Sequence, residues 1–252
     1  MTDIFDPLSL FSVQGKTIIV TGASRGIGFA LCEGLAAAGA RVTGIARSAA
    51  PERAFHRPVT YISADVRDGC AEVFADIARS TGRIDVLVNA AGVSFALPQT
   101  PSAQLEGFTN TLETNLIAAY ACCLAVRPHM STGASIINVT SIGSLLGFPG
   151  NPGYVSAKGG LRMLTKALAV DWGASGIRVN ALAPGYIHTD MTAQSFADPE
   201  RHEQRARHTC LGRWGSVEDL LGAVIFLASA ASAYVTGQDI VVDGGWTAKG
   251  LV

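Results

Sequence analysis

The chain has little charge, and none of it is gathered. Asp, Glu, Lys and Arg make up 15% of its 252 residues, the net charge is −1, and Lys and Arg are scattered singly. That removes the broad basic surface a phosphate backbone needs, so no nucleic-acid partner is expected. No apolar run reaches spanning length before Gly, Asp or Arg interrupts it, so no membrane segment is expected. The opening stretch MTDIFDPLSLFSVQGK lacks a basic n-region and carries Asp3, Asp6 and Pro7, unlike a secretory signal. A soluble, cytoplasmic protein is the expectation. Cysteines number 5, at 32, 70, 122, 123 and 210, an odd count without metal-like spacing. Adjacent Cys122 and Cys123 would point about 100° apart on a helix, which suits small reduced core fillers, and no metal is expected. Internal repeats, low-complexity tracts and linkers are also missing, so residues 1–252 read as one domain, with 1–14 as an N-terminal extension.

What is present is a regular alternation. Hydrophobic residues reach 48%, and the short runs KTIIVTG, ARVTGIA, VTYISAD, IDVLVNAAG, ASIINVTS, IRVNALAPG and QDIVVDGG read as strands separated by amphipathic stretches. Near-continuous apolar strands joined by helices imply a seven-stranded parallel sheet covered on both faces, a doubly wound α/β fold of Rossmann type. The helices carry their own punctuation. Ile27, Leu31 and Leu35 form a stripe that stops at Gly39, a suitable C′ residue. Thr100-Pro101 offers an N-cap and a first-turn proline ahead of a segment running to about Val126. Ser216 and Asp219 resemble a capping box before Leu220, Leu221, Val224 and Leu227. Between Arg47 and Val59 lies only SAAPERAFHRP, too short and too proline-rich for a crossover helix, so a loop or single turn is expected.

Two local patterns carry chemistry. TGASRGIG, Thr21 to Gly28, follows the first strand and opens a helix. Gly22, Gly26 and Gly28 would let the backbone turn tightly and approach a pyrophosphate, with the helix N-terminus presenting free N–H groups to the anion. YVSAKGG places Tyr154 and Lys158 four apart, on one face of a helix. A cation held beside the phenol would stabilise the phenolate, lower its pKa and suit it to general acid or base work.

With these motifs in order, the chain resembles the short-chain dehydrogenases/reductases of about this length. The resemblance runs from GKTIIVTGASRGIG to GQDIVVDGGW and includes NAAG at Asn89 to Gly92, Asn115 in ETNL, Ser141 in INVTSIG, Tyr154 with Lys158, and PGYIHTDM. One departure is Ala90, where the family usually has asparagine; a changed backbone contact with the turn preserved is expected. The resemblance implies a catalytic tetrad. Tyr154 would move the proton, Ser141 would hold the carbonyl oxygen, Lys158 would lower the tyrosine pKa and bind the nicotinamide ribose, and Asn115 would interrupt its helix and hold a relay water. It further implies cofactor contacts from Ser24, Arg25, Ile27, Asp65, Val66, Asn89, Ala90 and Gly92, and from Pro184, Gly185, Ile187 and Thr189. The second strand ends with Ala46 and Arg47 instead of a carboxylate, and Arg25 lies near, which points to NADP(H) in preference to NAD(H), the latter remaining possible.

The wording LAVDWGASGIRVNALAPGYIHTDMT followed by GRWG resembles the gluconate 5-dehydrogenase and related polyol or sugar-acid branch. A small-molecule substrate with a secondary alcohol or ketone is implied. The competing reading is a 3-oxoacyl-carrier-protein reductase or general carbonyl reductase. Against the carrier protein stand PHMSTGAS and Ser175, where a basic cluster and an arginine would grip an acidic partner. An NADP(H) sensor or scaffold would be expected to lack part of the tetrad, and a nucleotide-sugar epimerase would need a longer C-terminal region. Residues 186–215 are the expected substrate lid, where Arg201, Arg205, Arg207, His202 and His208 either meet an anionic substrate or form a solvated face. Ser94, Phe148, Asn151 and Tyr186 are candidate pocket residues. The family also implies a homotetramer, or homodimer, through the Asn115 and Tyr154 helices, whose small residues Ala118, Ala119, Ala121, Cys122, Cys123, Ala125, Ala157, Gly159, Gly160 and Ala167 would permit close approach.

Overall fold

Apolar β-branched runs buried on both faces can satisfy their backbone only by pairing with one another, and the computed structural model, which describes residues 6–68, 70–95 and 99–250, shows that pairing. Strands β1 (Thr17–Thr21), β2 (Arg41–Ala46), β3 (Val59–Ser63), β4 (Val86–Asn89), β5 (Ser135–Val139), β6 (Arg178–Pro184) and β7 (Asp239–Val242) form one sheet in the order β3-β2-β1-β4-β5-β6-β7. Every neighbouring pair is parallel. The helices are α1 (Gly26–Ala37), α2 (Ala71–Thr81), α3 (Pro101–Leu112), α4 (Ala118–Val126), α5 (Pro152–Gly173), α6 (Ala193–Ala197), α7 (Pro199–His208) and α8 (Leu221–Ala228).

The two-residue period of the strands sorts their side chains into two cores. Ile18, Val20, Val86, Val88 and Ile137 join Leu31 and Leu35 of α1 and Leu220, Val224 and Leu227 around α8. Ile19, Leu87 and Ile136 point the other way, against Phe74, Cys122, Val126 and Leu168. Each fully buried Leu, Ile or Phe contributes roughly 1.5–3 kcal/mol, so a shift of one residue in any central strand would exchange the two cores.

The punctuation is largely as expected. Gly39 adopts φ +88 just beyond α1, the Thr100 hydroxyl accepts from the Ala103 N–H, and both halves of the Ser216–Asp219 capping box are formed. The long segment expected to run to Val126 is broken by a π-helical turn, Glu113–Ile117, where the Ala118 N–H reaches back five residues to the Glu113 carbonyl. The β2–β3 link contains no helix. It is pinned to α1 by Phe55 stacked on Phe29 at 4.5 Å, by Arg53 over the same ring at 4.5 Å, and by the His56 N–H on Glu33 at 2.7 Å. In the N-terminal extension Pro7–Phe11 form a 3-10 turn and Val13 enters the core; residues 1–5 of that extension lie outside the described residues. Among the described residues no helix is long and apolar enough to cross a membrane, and no group of three or more His, Cys, Asp or Glu side chains could hold a metal ion.

Candidate active site

A cleft of about 270 Å³ opens along the C-terminal ends of the central strands, the position where a doubly wound sheet exposes strand ends and helix N-termini together. At one end the chain leaves β1 through Gly22, whose φ of +74 belongs to the left-handed region. A Cβ there would lie 2.7 Å from the Ala91 N and Cα atoms, so only glycine lets β1 and β4 emerge this close together. The Thr21 hydroxyl stabilises the same junction by accepting from the Ala90 and Ala91 N–H groups, both at 3.2 Å. The turn therefore survives with Ala90 in place. Helix α1 begins at Gly26, and its N-cap residue Arg25 makes no side-chain capping bond. The first-turn N–H groups of α1 are thus left for an anion in the cleft.

At the other end, Ser141 follows β5 and Tyr154 stands in the first turn of α5. Proline at the start of α5, Pro152, fixes the entry of that helix, and one turn later Lys158 points the same way. Its ammonium lies 5.7 Å from the Tyr154 ring centre and donates to the Val139 carbonyl at 2.7 Å. The Ser141 hydroxyl stands near enough to the Tyr154 phenol to favour its ionised form, and its oxygen accepts from the Gly143 N–H at 3.0 Å. Asn115 sits in the π turn, fully buried, and grips Val93 from both sides: its amide oxygen accepts from the Val93 N–H and its NH₂ donates to the Val93 carbonyl, both at 2.8 Å. Gly92 lies between Asn115 and Lys158, where a Cβ would be 3.4 Å from the one and 3.6 Å from the other.

The electrostatics depart from expectation. Burial lowers Lys158 to about 8, and desolvation raises Tyr154 above its ordinary range despite the opposing Ser141 hydroxyl. The expected lowering by Lys158 is absent for a simple reason: a lysine that loses its proton near 8 carries no charge where a desolvated, half-buried phenol titrates. In the protein as described, Tyr154 is a protonated hydrogen-bond donor at neutral pH.

Of the residues singled out in the sequence, Gly22, Ser24, Arg25, Gly26, Ile27 and Gly28 line the cleft at its glycine end. Arg47, Asp65 and Val66 line its outer side, and Ala90, Gly92, Pro184, Gly185, Ile187 and Thr189 its floor and wall, with Ser141, Tyr154 and Lys158. Asn89 is the correction. Its side chain turns beneath the sheet and donates to Asn138 at 3.0 Å and to the Ala119 carbonyl at 3.4 Å, because residues alternate faces at the end of β4. Asp65 reaches the cleft with its carboxylate already held by Arg67, Nη2 at 2.7 Å, which keeps it below the usual carboxylate range. Ser94, Phe148, Asn151 and Tyr186 stand outside the cleft lining but pair up: Asn151 donates to Ser94 at 2.6 Å, and the Phe148 and Tyr186 rings lie 6.3 Å apart. Asp190, Met191 and Thr192, expected only as part of the 186–215 segment and not singled out, also line the cleft. The signal was within PGYIHTDMT, where Thr192 closes a turn by donating to the Ile187 carbonyl at 2.6 Å.

Residues 186–215 leave and return at one point. Ile187 and Gly215 form a parallel bridge, with the Gly215 N–H on the Tyr186 carbonyl and the His188 N–H on the Gly215 carbonyl, both at 2.9 Å. Between them α6 and α7 meet at Asp198, which caps α7 by accepting from the Glu200 and Arg201 N–H groups. Trp214 Nε1 donates to the His202 carbonyl at 3.1 Å, fastening α7 to the base. Of the small residues expected to form a subunit seam, half face inward, while Ala167 is exposed and Ala121, Ala125, Gly159 and Gly160 are half-buried. Ala118, Ala119, Cys122, Cys123 and Ala157 are buried within this chain, and Gly160 admits Leu116. The outward residues are larger and apolar: Ile117, Tyr120, Leu124, Met163 and Val170.

A family model described as enoyl-(acyl carrier protein) reductase matches residues 22–247. The chain is 39% identical over 249 residues to gluconate 5-dehydrogenase of Gluconobacter oxydans, covering 94% of this chain and 97% of the relative. It is 34% identical over 252 residues to 2-dehydro-3-deoxy-D-gluconate 5-dehydrogenase of Escherichia coli, covering 96% and 99%. Among solved structures, a gluconate 5-dehydrogenase from Burkholderia cenocepacia in complex with NADP and tartrate superposes with a TM-score of 0.88 at 35% identity, covering 97% of this chain and all of that one.

Proposed function

The chain belongs to the short-chain dehydrogenases/reductases, and on that premise we propose that it is an NADP(H)-dependent oxidoreductase interconverting a secondary alcohol and a ketone on a sugar acid or related polyol. The observation that carries the reading is one cleft shared by an open helix N-terminus at Gly26 and the Ser141, Tyr154 and Lys158 side chains. The bare glycine backbone and unfilled first turn of α1 fit a pyrophosphate, and Arg25 and Arg47 fit a 2′-phosphate better than a bare ribose hydroxyl. NAD(H) is the weaker alternative. When bound, the nicotinamide supplies or accepts the hydride.

In the reducing direction Tyr154 donates its phenolic proton to the oxygen that develops negative charge, and Ser141 holds that oxygen in line with Tyr154. General acid catalysis of this kind contributes roughly 10²–10⁴-fold. Lys158 serves beneath them as a ribose-binding ammonium, and Asn115 holds the Val93 backbone that forms the adjacent wall. Residues 186–215 act as the substrate lid, hinged where Ile187 meets Gly215, and Ser94, Phe148, Asn151 and Tyr186 border the substrate's approach. Relatives named for gluconate and for 2-dehydro-3-deoxy-D-gluconate support a sugar-acid substrate over a carrier-protein thioester.

The assembly we propose is a homotetramer built on the exposed apolar face of Ile117, Tyr120, Leu124, Met163 and Val170. Sedimentation as a monomer would refute it. A cytoplasmic location agrees with five free cysteines. The deciding measurement for function is NADPH consumption against keto-sugar acids, cyclic ketones and 3-oxoacyl thioesters, with NADH as control. Preference for a keto-sugar acid with NADPH supports the proposal, whereas turnover of thioesters alone transfers the protein to the carrier-protein reading.

A further inference from the structure

The lid holds four arginines, and the fold treats one of them differently. Arg201 pairs with Asp198, Arg207 with Glu203, and Arg213 with Asp219. Arg205 pairs with no carboxylate among the described residues. Its guanidinium carbon instead lies 4.3 Å from the centre of the Tyr186 ring and 5.5 Å from that of Trp214. Those two rings meet nearly edge to face, 5.5 Å apart at 65°, so they form a corner in which the guanidinium rests.

A guanidinium held by aromatic rings, and not by a carboxylate, has N–H donors left for another partner. A half-buried arginine held against two aromatic rings, with no carboxylate beside it among the described residues, keeps its N–H donors for an incoming carboxylate. The corner is joined to the chemical centre. Tyr186 precedes the cleft residue Ile187, touches Phe148, and is near enough to Tyr154 for the two phenols to interact electrostatically. Phe148 in turn lies against Gly143, which is hydrogen-bonded to Ser141. A ketone held at Ser141 and Tyr154, carrying an acid group at the far end of its chain, would extend toward Arg205.

We propose that Arg205 is the anchor for the substrate's carboxylate, with Tyr186 and Trp214 holding the guanidinium in place while its N–H groups receive the two oxygens. The assignment rests on the sugar-acid reading above. It makes Arg205 a specificity residue: it selects a carboxylate-bearing ketone over a neutral ketose of the same length.

The test compares kcat/KM for 5-ketogluconate with that for fructose, using NADPH, in the wild type, Arg205→Gln, Arg205→Lys and Arg207→Gln. The ratio is expected to fall about 10- to 100-fold in Arg205→Gln, mostly through KM, since a charged hydrogen-bond partner is lost. Arg205→Lys, which keeps the charge and loses the fork, should lie between, and Arg207→Gln should stay within about twofold of the wild type. Gluconate titrated against tryptophan fluorescence reads the site without turnover, because Trp214 touches Arg205. Loss of both substrates alike, or an unchanged ratio, overturns the anchor while leaving the sugar-acid reading standing. A wild type that reduces no keto-sugar acid, yet binds gluconate in an Arg205-dependent way, overturns that reading and retains the anchor.

Discussion

The glycine end of the cleft and the 186–215 segment proposed as its lid are built on opposite plans. Around Gly22, Gly26 and Gly28 the recognition surface is backbone: open N–H groups, a left-handed turn and a close approach to Ala91. Around Tyr186, Arg205 and Trp214 it is side chain on side chain, with rings and a guanidinium set by contacts 9 to 28 residues apart in sequence. A phosphate is the same in every dinucleotide, so a fixed backbone cradle serves it. A substrate varies, and exchangeable side chains on a bridged excursion from the sheet allow that variation at little cost to the fold.

The sharpest break between the two ends comes at the phenol. Tyr154→Phe should lower turnover by roughly 10²–10⁴-fold while NADPH affinity, measured by titration, stays within about twofold. Equal losses of binding and turnover would mean the two ends are not separable. Next in size is a matched pair of glycines. Gly22→Ala places a Cβ 2.7 Å from backbone atoms at φ +74, whereas Gly212→Ala, in the lid at φ +68, meets nothing within 4 Å. Both incur left-handed strain of about 1–2 kcal/mol, but only Gly22→Ala should also lose NADPH binding and show the larger fall in thermal midpoint. Similar midpoints would argue against a rigid backbone cradle.

A pH series separates the ends further. Lys158 titrates at 10.5 in its ordinary state and at about 8 in the fold. Between those values the unfolded chain holds more protons than the folded one, so this group makes stability rise with pH across that window. The thermal midpoint of the wild type should therefore gain on that of Lys158→Met from pH 8 to 10.5, and kcat/KM for ketone reduction should fall as the ammonium is lost above about 8. A flat difference in midpoint would place Lys158 in a more solvated setting. The smallest effect expected is at the rim, where Glu52 holds Arg25 at 2.8 Å and its N–H donates to the Ser24 carbonyl at 3.0 Å. Glu52→Gln should release Arg25 toward the 2′-phosphate and lower KM for NADPH by a few-fold, since an exposed pair is worth at most about 1 kcal/mol. An unchanged KM would leave Arg47 as the principal phosphate contact.

Much of the glycine end was legible in advance. TGASRGIG after an apolar strand can hardly be other than a tight β–α junction, and Tyr154 and Lys158 share a face by helical period alone. Asn115 was expected to interrupt a helix, and it lies within the π turn. Local rules could not tell that Asn89 turns away from the cleft, since its face depends on where β4 ends. Nor could they tell that Ala118, Ala119 and Cys122 pack inward while Ile117, Tyr120 and Leu124 face out. Nor could they give the balance at Tyr154, where desolvation by the packed site acts against the effect of a neighbouring lysine that is itself desolvated.

By itself the order of residues determined the elements, the parallel sheet, the glycine turn and the spacing of Ser141, Tyr154 and Lys158. These follow from steric limits on φ and ψ, from the two periods of strand and helix, and from the need to bury apolar faces, all of which act over a few residues. Only the tertiary structure decided which of four chemically equal arginines is left without a carboxylate among the described residues and which aromatic rings hold it. Those outcomes depend on distances between segments remote in the chain, and electrostatic and stacking energies change steeply over a few ångströms.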